Sequence, residues 1–289
     1  MSRVELEVPE PLETASVLGV LAAHAVSGLE EVDAAAGTVR RLLAVGDRRV
    51  AVTVRLPVTR AGSSAIVLEH DGGEHLGDAV ASRVRRWLDL DADLAEVRTV
   101  LSRDARLAPL VRARPGLRVT GYVDGFEGAV LTVLGQQVSV AAARTVAGRL
   151  LARYADPHAG TALRPFPAPH VLASVAPDEL REVAGVPGAR ARTVVAVARA
   201  CADGLRIEPG ADPGAVRAAL LALPGVGPWT VDYLALRALG DRDALPATDL
   251  VLRRALGGQP SSEVTRAAAA WSPYRAYATE HLWAAEGRR

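Results

Sequence analysis

Before about residue 100, apolar and polar positions alternate in short runs. Val4–Val8, Val39–Val45, Arg49–Leu56 and Ser64–His70 read as strands with one buried face. Gly46-Asp47 sits where a tight hairpin would join the second run to the third. Two stretches at helical spacing, Pro11–Ser27 and Glu74–Leu88, interleave with them. The order β-α-β-β-β-α predicts a small antiparallel sheet covered by helices. After residue 100 the spacing becomes helical, punctuated by Gly and Pro, with segments at 103–113, 125–154, 168–173, 177–183, 188–203, 212–222, 228–239, 249–256, 262–269 and 272–285. The fold class is therefore α+β, with an N-terminal α+β domain over 1–100 and an all-helical domain over 101–289.

Composition narrows the classes. A chain of 289 residues, 49% hydrophobic, can bury two or three small cores. Its net charge of +1 and pI near 8.0 make any contact with a polyanion local rather than a broad electrostatic coat. Every basic side chain is arginine, because the sequence contains no lysine. Cys201 is the only cysteine, which excludes an intramolecular disulfide and a four-cysteine metal site. The opening MSRVELEVPEPLE is acidic where a signal peptide is basic and then apolar, and no apolar run spans a bilayer. A soluble cytoplasmic protein, without membrane association, is expected.

The chemistry concentrates between Leu223 and Asp249, LPGVGPWTVDYLALRALGDRDALPATD. Gly225 and Gly227 flank Val226, so the backbone can turn tightly and present bare N–H groups at a helix N-terminus, a site suited to an anionic oxygen such as a DNA phosphate. Gly240 ends that helix and Pro246 stiffens the approach to Asp249. Asp249 then opens the LVLRRAL helix, where Thr248 or Asp249 also reads as an ordinary N-cap.

LPGVGPWTVDYLALRALG followed by LPATDLVLRRAL resembles the hairpin and catalytic aspartate of the helix-hairpin-helix DNA glycosylase superfamily. Three further segments, Tyr122–Tyr154 with its LGQQVS, Phe166–Ala173 and Trp271–Gly287, are similar to the 3-methyladenine DNA glycosylase II family within it. Val17–Val26 resembles that family's first helix. The resemblance implies a TATA-binding-protein-like N-terminal sheet and a helical core of two lobes with the active-site cleft between them. It also implies base excision repair of alkylated double-stranded DNA by a monomer. Two alternatives stay open: a glycosylase of this superfamily for another damaged base, and a non-catalytic DNA-binding module.

Carried over residue by residue, the resemblance makes Asp249 the catalytic carboxylate. Breaking an N-glycosidic bond builds positive charge on the sugar, which a carboxylate placed beneath it stabilises. Asp249 could equally orient or deprotonate the attacking water. Bifunctional members carry a lysine nucleophile directly after the Gly-Pro of the hairpin. Here that position is Trp229, so a monofunctional, water-using reaction is expected, and no cofactor is required. Trp229, Tyr233 and Trp283 match aromatic residues lining the base pocket; Trp229 and Tyr233, four apart, share a helix face suited to an extruded, cationic methylated purine. Val20 and Leu250 stand where the family has aromatic residues, which implies a less aromatic pocket. Gln137 is the expected duplex wedge in place of a leucine, with Gln136 lining the site beside it; LGQQVS also reads as a plain polar interruption of a helix. DNA backbone is expected at Gly225 and Gly227, supported by Thr230. A Na+ or K+ ion is expected at the carbonyls of Leu221, Leu223 and Val226. Arg253 and Arg254 are read as phosphate or packing residues. Trp87 and Trp271 read as core, Arg83–Arg86 as a solvated helix face, and Ser272–Arg275 equally as a helix start.

Overall fold

The computed structural model describes residues 1–8, 12–57 and 65–287. Alternation does produce a sheet: β1 (Ser2–Leu6), β2 (Glu30–Asp33), β3 (Thr38–Val45), β4 (Arg48–Arg55) and β5 (Ile66–His70), antiparallel throughout in the order β1-β5-β4-β3-β2. The hairpin at Gly46-Asp47 closes with Val45 opposite Arg48, and Gly46 takes φ +59°, the left-handed conformation such a turn demands. Inward positions of β3, β4 and β5, among them Leu43, Val52, Ile66 and Leu68, pack against α1 (Thr14–His24) and α2 (Gly77–Trp87). Of the expected boundaries, Pro11 and Ser64 lie outside the described residues.

One strand is additional to the sequence reading. β2 reads EEVD, with a single apolar residue, so alternation gives no signal. It is held at the edge of the sheet by pairing with β3, and its acids meet arginines, Arg40 with Glu31 at 3.4 Å and Arg41 with Glu30 at 3.0 Å.

The remaining helices are α3 (Leu94–Leu101), α4 (Leu107–Ala113), α5 (Gly125–Leu134), α6 (Val140–Tyr154), α7 (Pro169–Ala173), α8 (Pro177–Ala184) and α9 (Gly188–Ala202). They continue with α10 (Pro213–Leu221), α11 (Pro228–Arg237), α12 (Leu250–Ala255), α13 (Ser261–Ala268) and α14 (Arg275–Glu286). α3 falls before residue 100 yet packs its Leu94, Val97 and Leu101 into the helical core, whereas Leu90 belongs to the core of the sheet. α9 runs through the centre of the helical part, with Ala191, Val194, Val195, Val197 and Ala198 buried against α5, α7 and α8. Trp87 and Trp271 are core residues, as the spacing predicts.

The segment predicted as one helix over 125–154 is two. α5 ends at Leu134 with Gly135 as its C-cap, Gln137 then turns the chain at φ +55°, and Ser139 starts α6 by accepting the Ala142 N–H on its Oγ at 3.2 Å. The orientation of α5, which leads into this break, is tied to the sheet. Arg41 of β3 donates to both carboxylate oxygens of Glu127 at 2.9 and 2.8 Å, to Glu30 at 3.0 Å, and lies over the Trp87 ring. Burial pushes the Glu127 carboxyl up to about 7 against the downward pull of Arg41.

Candidate active site

The hairpin is built from α10, a turn, and α11. Leu223 N–H bonds to the Leu220 carbonyl at 3.1 Å and Val226 N–H to the Leu223 carbonyl at 3.2 Å, which winds the chain back on itself. Gly225 has φ +79°, and a Cβ there would lie 2.1 Å from Thr193 Oγ1 of α9. No other residue type satisfies both demands. Gly227 is the extended N-cap of α11 and Pro228 its first residue, so the first-turn N–H groups are left without helical acceptors. No backbone N–H among the described residues bonds to the Leu221 or Val226 carbonyl, and the Leu223 carbonyl keeps a second lone pair, so all three oxygens have acceptor capacity to spare.

Two expected site residues prove to be internal braces. Thr230 is 2% exposed, and its hydroxyl accepts the Gln136 amide at 3.0 Å, so its side chain serves the hairpin while its backbone N–H stays among the first-turn groups of α11. Gln136 also donates to the Gly225 carbonyl at 3.3 Å, and Arg190 of α9 donates to the Gln136 carbonyl. The Gln136 amide is thus spent on the hairpin rather than turned toward a base. Its neighbour Gln137 stands exposed at the tip of the break, in the left-handed conformation.

Asp249 sits where three elements meet. Its backbone N–H bonds to the Pro246 carbonyl at 2.8 Å, fixing it at the head of α12. Oδ1 accepts the Leu252 N–H at 2.8 Å, so the N-cap reading holds. The same carboxylate accepts two indole N–H groups, Trp229 Nε1 from α11 on Oδ2 at 2.9 Å and Trp283 Nε1 from α14 on Oδ1 at 2.8 Å. Of roughly four acceptor positions on a carboxylate, three are filled and one, on Oδ2, stays open.

The aromatic residues of the site pack on one another. Trp229 and Tyr233 do share a helix face, but they stack on each other, centroids 5.2 Å apart and planes within 20°. No base fits between them. Trp283 tilts against Tyr233 at 6.0 Å. Sequence reasoning missed Arg237, one turn beyond Tyr233, whose guanidinium lies over both the Tyr233 and Trp283 rings. Its signal was the continuation of the four-residue step Trp229, Tyr233, Arg237. A groove of about 720 Å³ is lined by Arg237 and Tyr122 but not by Asp249 or Trp229.

Around this centre the surface carries apolar side chains. Leu250 is 71% exposed, and Val251, Val138, Val140 and Leu221 are exposed as well. Val20 is half-buried on α1, a helix packed against α6 and β2. Arg253 folds back onto the Gln259 carbonyl at 2.8 Å, and Arg275 of the SPYR segment pairs with Asp243. Among the described residues no cluster of His, Cys, Asp or Glu could hold a metal ion, and no helix is long and apolar enough to cross a membrane.

Comparison with known proteins matches both halves of the chain. Residues 3–124 match the AlkA N-terminal domain, and residues 130–259 match the HhH-GPD superfamily of base excision DNA repair proteins. The DNA-3-methyladenine glycosylase 2 of Escherichia coli is 35% identical over 96% of this chain and 95% of its own. A probable bifunctional transcriptional activator/DNA repair enzyme AlkA of Mycobacterium tuberculosis is 42% identical over 97% of this chain, which spans 56% of that relative's length. A 3-methyladenine DNA glycosylase from Archaeoglobus fulgidus has the same fold, with a TM-score of 0.83 at 23% identity, covering 99% of this chain and 98% of its own. An N-terminal sheet of this kind, a hairpin–aspartate helical core and near-full-length identity to a DNA-3-methyladenine glycosylase together place the chain in the AlkA family of HhH-GPD base excision DNA repair proteins.

Proposed function

We propose that the protein is a monofunctional DNA glycosylase that takes alkylated purines of the 3-methyladenine type out of duplex DNA and hydrolyses their N-glycosidic bond. The observation that carries this reading is the Asp249 carboxylate, oriented by two indole N–H groups and a backbone N–H with one acceptor position open. An ionised oxygen held rigidly in a partly dry site stabilises a sugar that is becoming an oxocarbenium ion, without reorganising as it does so.

The other parts follow from the same geometry. The free N–H groups at the start of α11 grip a backbone phosphate. Gln137, exposed at the helix break, fills the space left by the extruded base. A Na+ or K+ ion at the Leu221, Leu223 and Val226 carbonyls would stiffen the turn and add positive charge near that phosphate. Trp229 occupies the lysine position of strand-nicking enzymes, so water is the nucleophile and the product is an intact abasic strand. Release of free base from methylated duplex DNA, with borohydride trapping alongside, tests the reading. Methylated base should appear without a covalent adduct, and a robust adduct or no released base overturns it.

A further inference from the structure

The aromatic group has a cation built against it. The guanidinium carbon of Arg237 lies 5.7 Å from the Tyr233 ring centroid and 5.4 Å from that of Trp283. Glu280 of α14 holds it at 2.5 Å and the Thr120 carbonyl accepts from it at 2.6 Å; the two charged side chains are 10% and 7% exposed. Burial works against the charge on Arg237, but the Glu280 carboxylate beside it more than offsets that cost. Tyr233 thus stacks on Trp229 and also has the cation over its ring. One face of Trp283 is taken by the same cation.

A ring that already has a cation on one face offers a weaker negative potential on the other, and a second cation there also feels direct repulsion across one ring thickness. Stacking of a neutral base depends on dispersion and shape, which the guanidinium does not alter. We infer that Arg237 is a specificity-determining residue of the base pocket, one that lowers its attraction for cationic alkylated bases and so narrows their advantage over neutral damaged purines. The inference rests on the glycosylase reading above.

The test is single-turnover release from two duplexes, one carrying a single cationic 7-methylguanine and one a single neutral hypoxanthine. Because removing Arg237 alone would strand Glu280, the variant is Arg237→Met with Glu280→Gln. Its cationic-to-neutral rate ratio should rise about 3- to 10-fold, the size of one partial cation–π contact. Arg237→Lys retains the charge and should keep the ratio within about twofold of the parent. Glu280→Gln alone leaves the guanidinium uncompensated and should move the ratio the opposite way, which decides the matter if the double variant does not fold. Rates that fall together with the ratio unchanged overturn the inference and leave the glycosylase reading standing. A parent protein that releases neither base overturns both.

Discussion

At Asp249 the N-cap of α12 and the acceptor of two indole N–H groups are the same side chain, so its replacements separate stability from chemistry. Asparagine caps a helix about as well as aspartate. Asp249→Asn should keep the cap but turn an amide NH2 toward one indole N–H, and so lose about 1 kcal/mol in a urea melt, while release of methylated base falls at least about 100-fold. Asp249→Ala should lose the cap as well, about 1 kcal/mol by the same melt. Parental release rates in the Asn variant would end the catalytic assignment. This carboxylate, the hairpin glycines and Trp229 were legible in the sequence because they lie within one continuous segment. The bracing role of Gln136 was not: its partners Gly225 and Thr230 are about ninety positions away, and only folding brings the amide to them. Nor could a string of letters show that Trp229 and Tyr233 satisfy each other, since four-residue spacing is the same whether two rings enclose a guest or meet face to face.

The hairpin makes opposite demands on its two glycines. Gly225→Ala places a methyl against Thr193 in a left-handed backbone and should cost about 2 kcal/mol or more in a denaturant melt. Gly227 has φ −105° and open space around its Cα, so Gly227→Ala should melt within about 0.5 kcal/mol of the parent. Equal losses at both positions would contradict this account of the turn. Elements were readable where one periodicity ran unbroken, as in β3, β4 and α9. β2 escaped because three of its four residues are acidic and its stability comes from the arginines of its neighbour. The division of 125–154 into α5 and α6 left only the polar LGQQVS as a trace, because apolar spacing resumes beyond the break at 135–139.

The sheet and the helical core are joined through a buried ion pair, and the joint is asymmetric in its energetics. Arg41 and Glu127 are each 5% exposed. Glu127→Gln leaves a guanidinium buried with only the Glu30 contact and should destabilise the whole molecule by about 3 kcal/mol. A shift below about 1 kcal/mol in a urea melt would show that the pair contributes little. Acid should loosen the fold through His281, buried beside Arg114 and pushed down to about 4 by desolvation first and that arginine second. Its contribution is complete above pH 6.5, where folded and unfolded chains are both neutral there. It is lost as pH falls toward 4, because the unfolded chain then takes a proton that the fold refuses, an effect of up to about 3 kcal/mol. Melts of the parent minus those of His281→Gln isolate it from Glu127 and other titrating groups, and a flat difference between pH 7 and 4.5 would refute it. The same dependence on distant partners bears on how the molecule would meet DNA. The Gln136 amide ties the Gln137 loop to the hairpin turn proposed to hold phosphate, and Arg190 of α9 donates to the Gln136 carbonyl, so hydrogen bonds set the spacing of loop and turn. The proposed enzyme is then a fixed-span gauge: it engages a nucleotide only where the strand brings backbone and vacated base position to the spacing set in the protein. Local stretch and bend of the duplex would count in lesion selection alongside the chemistry of the base.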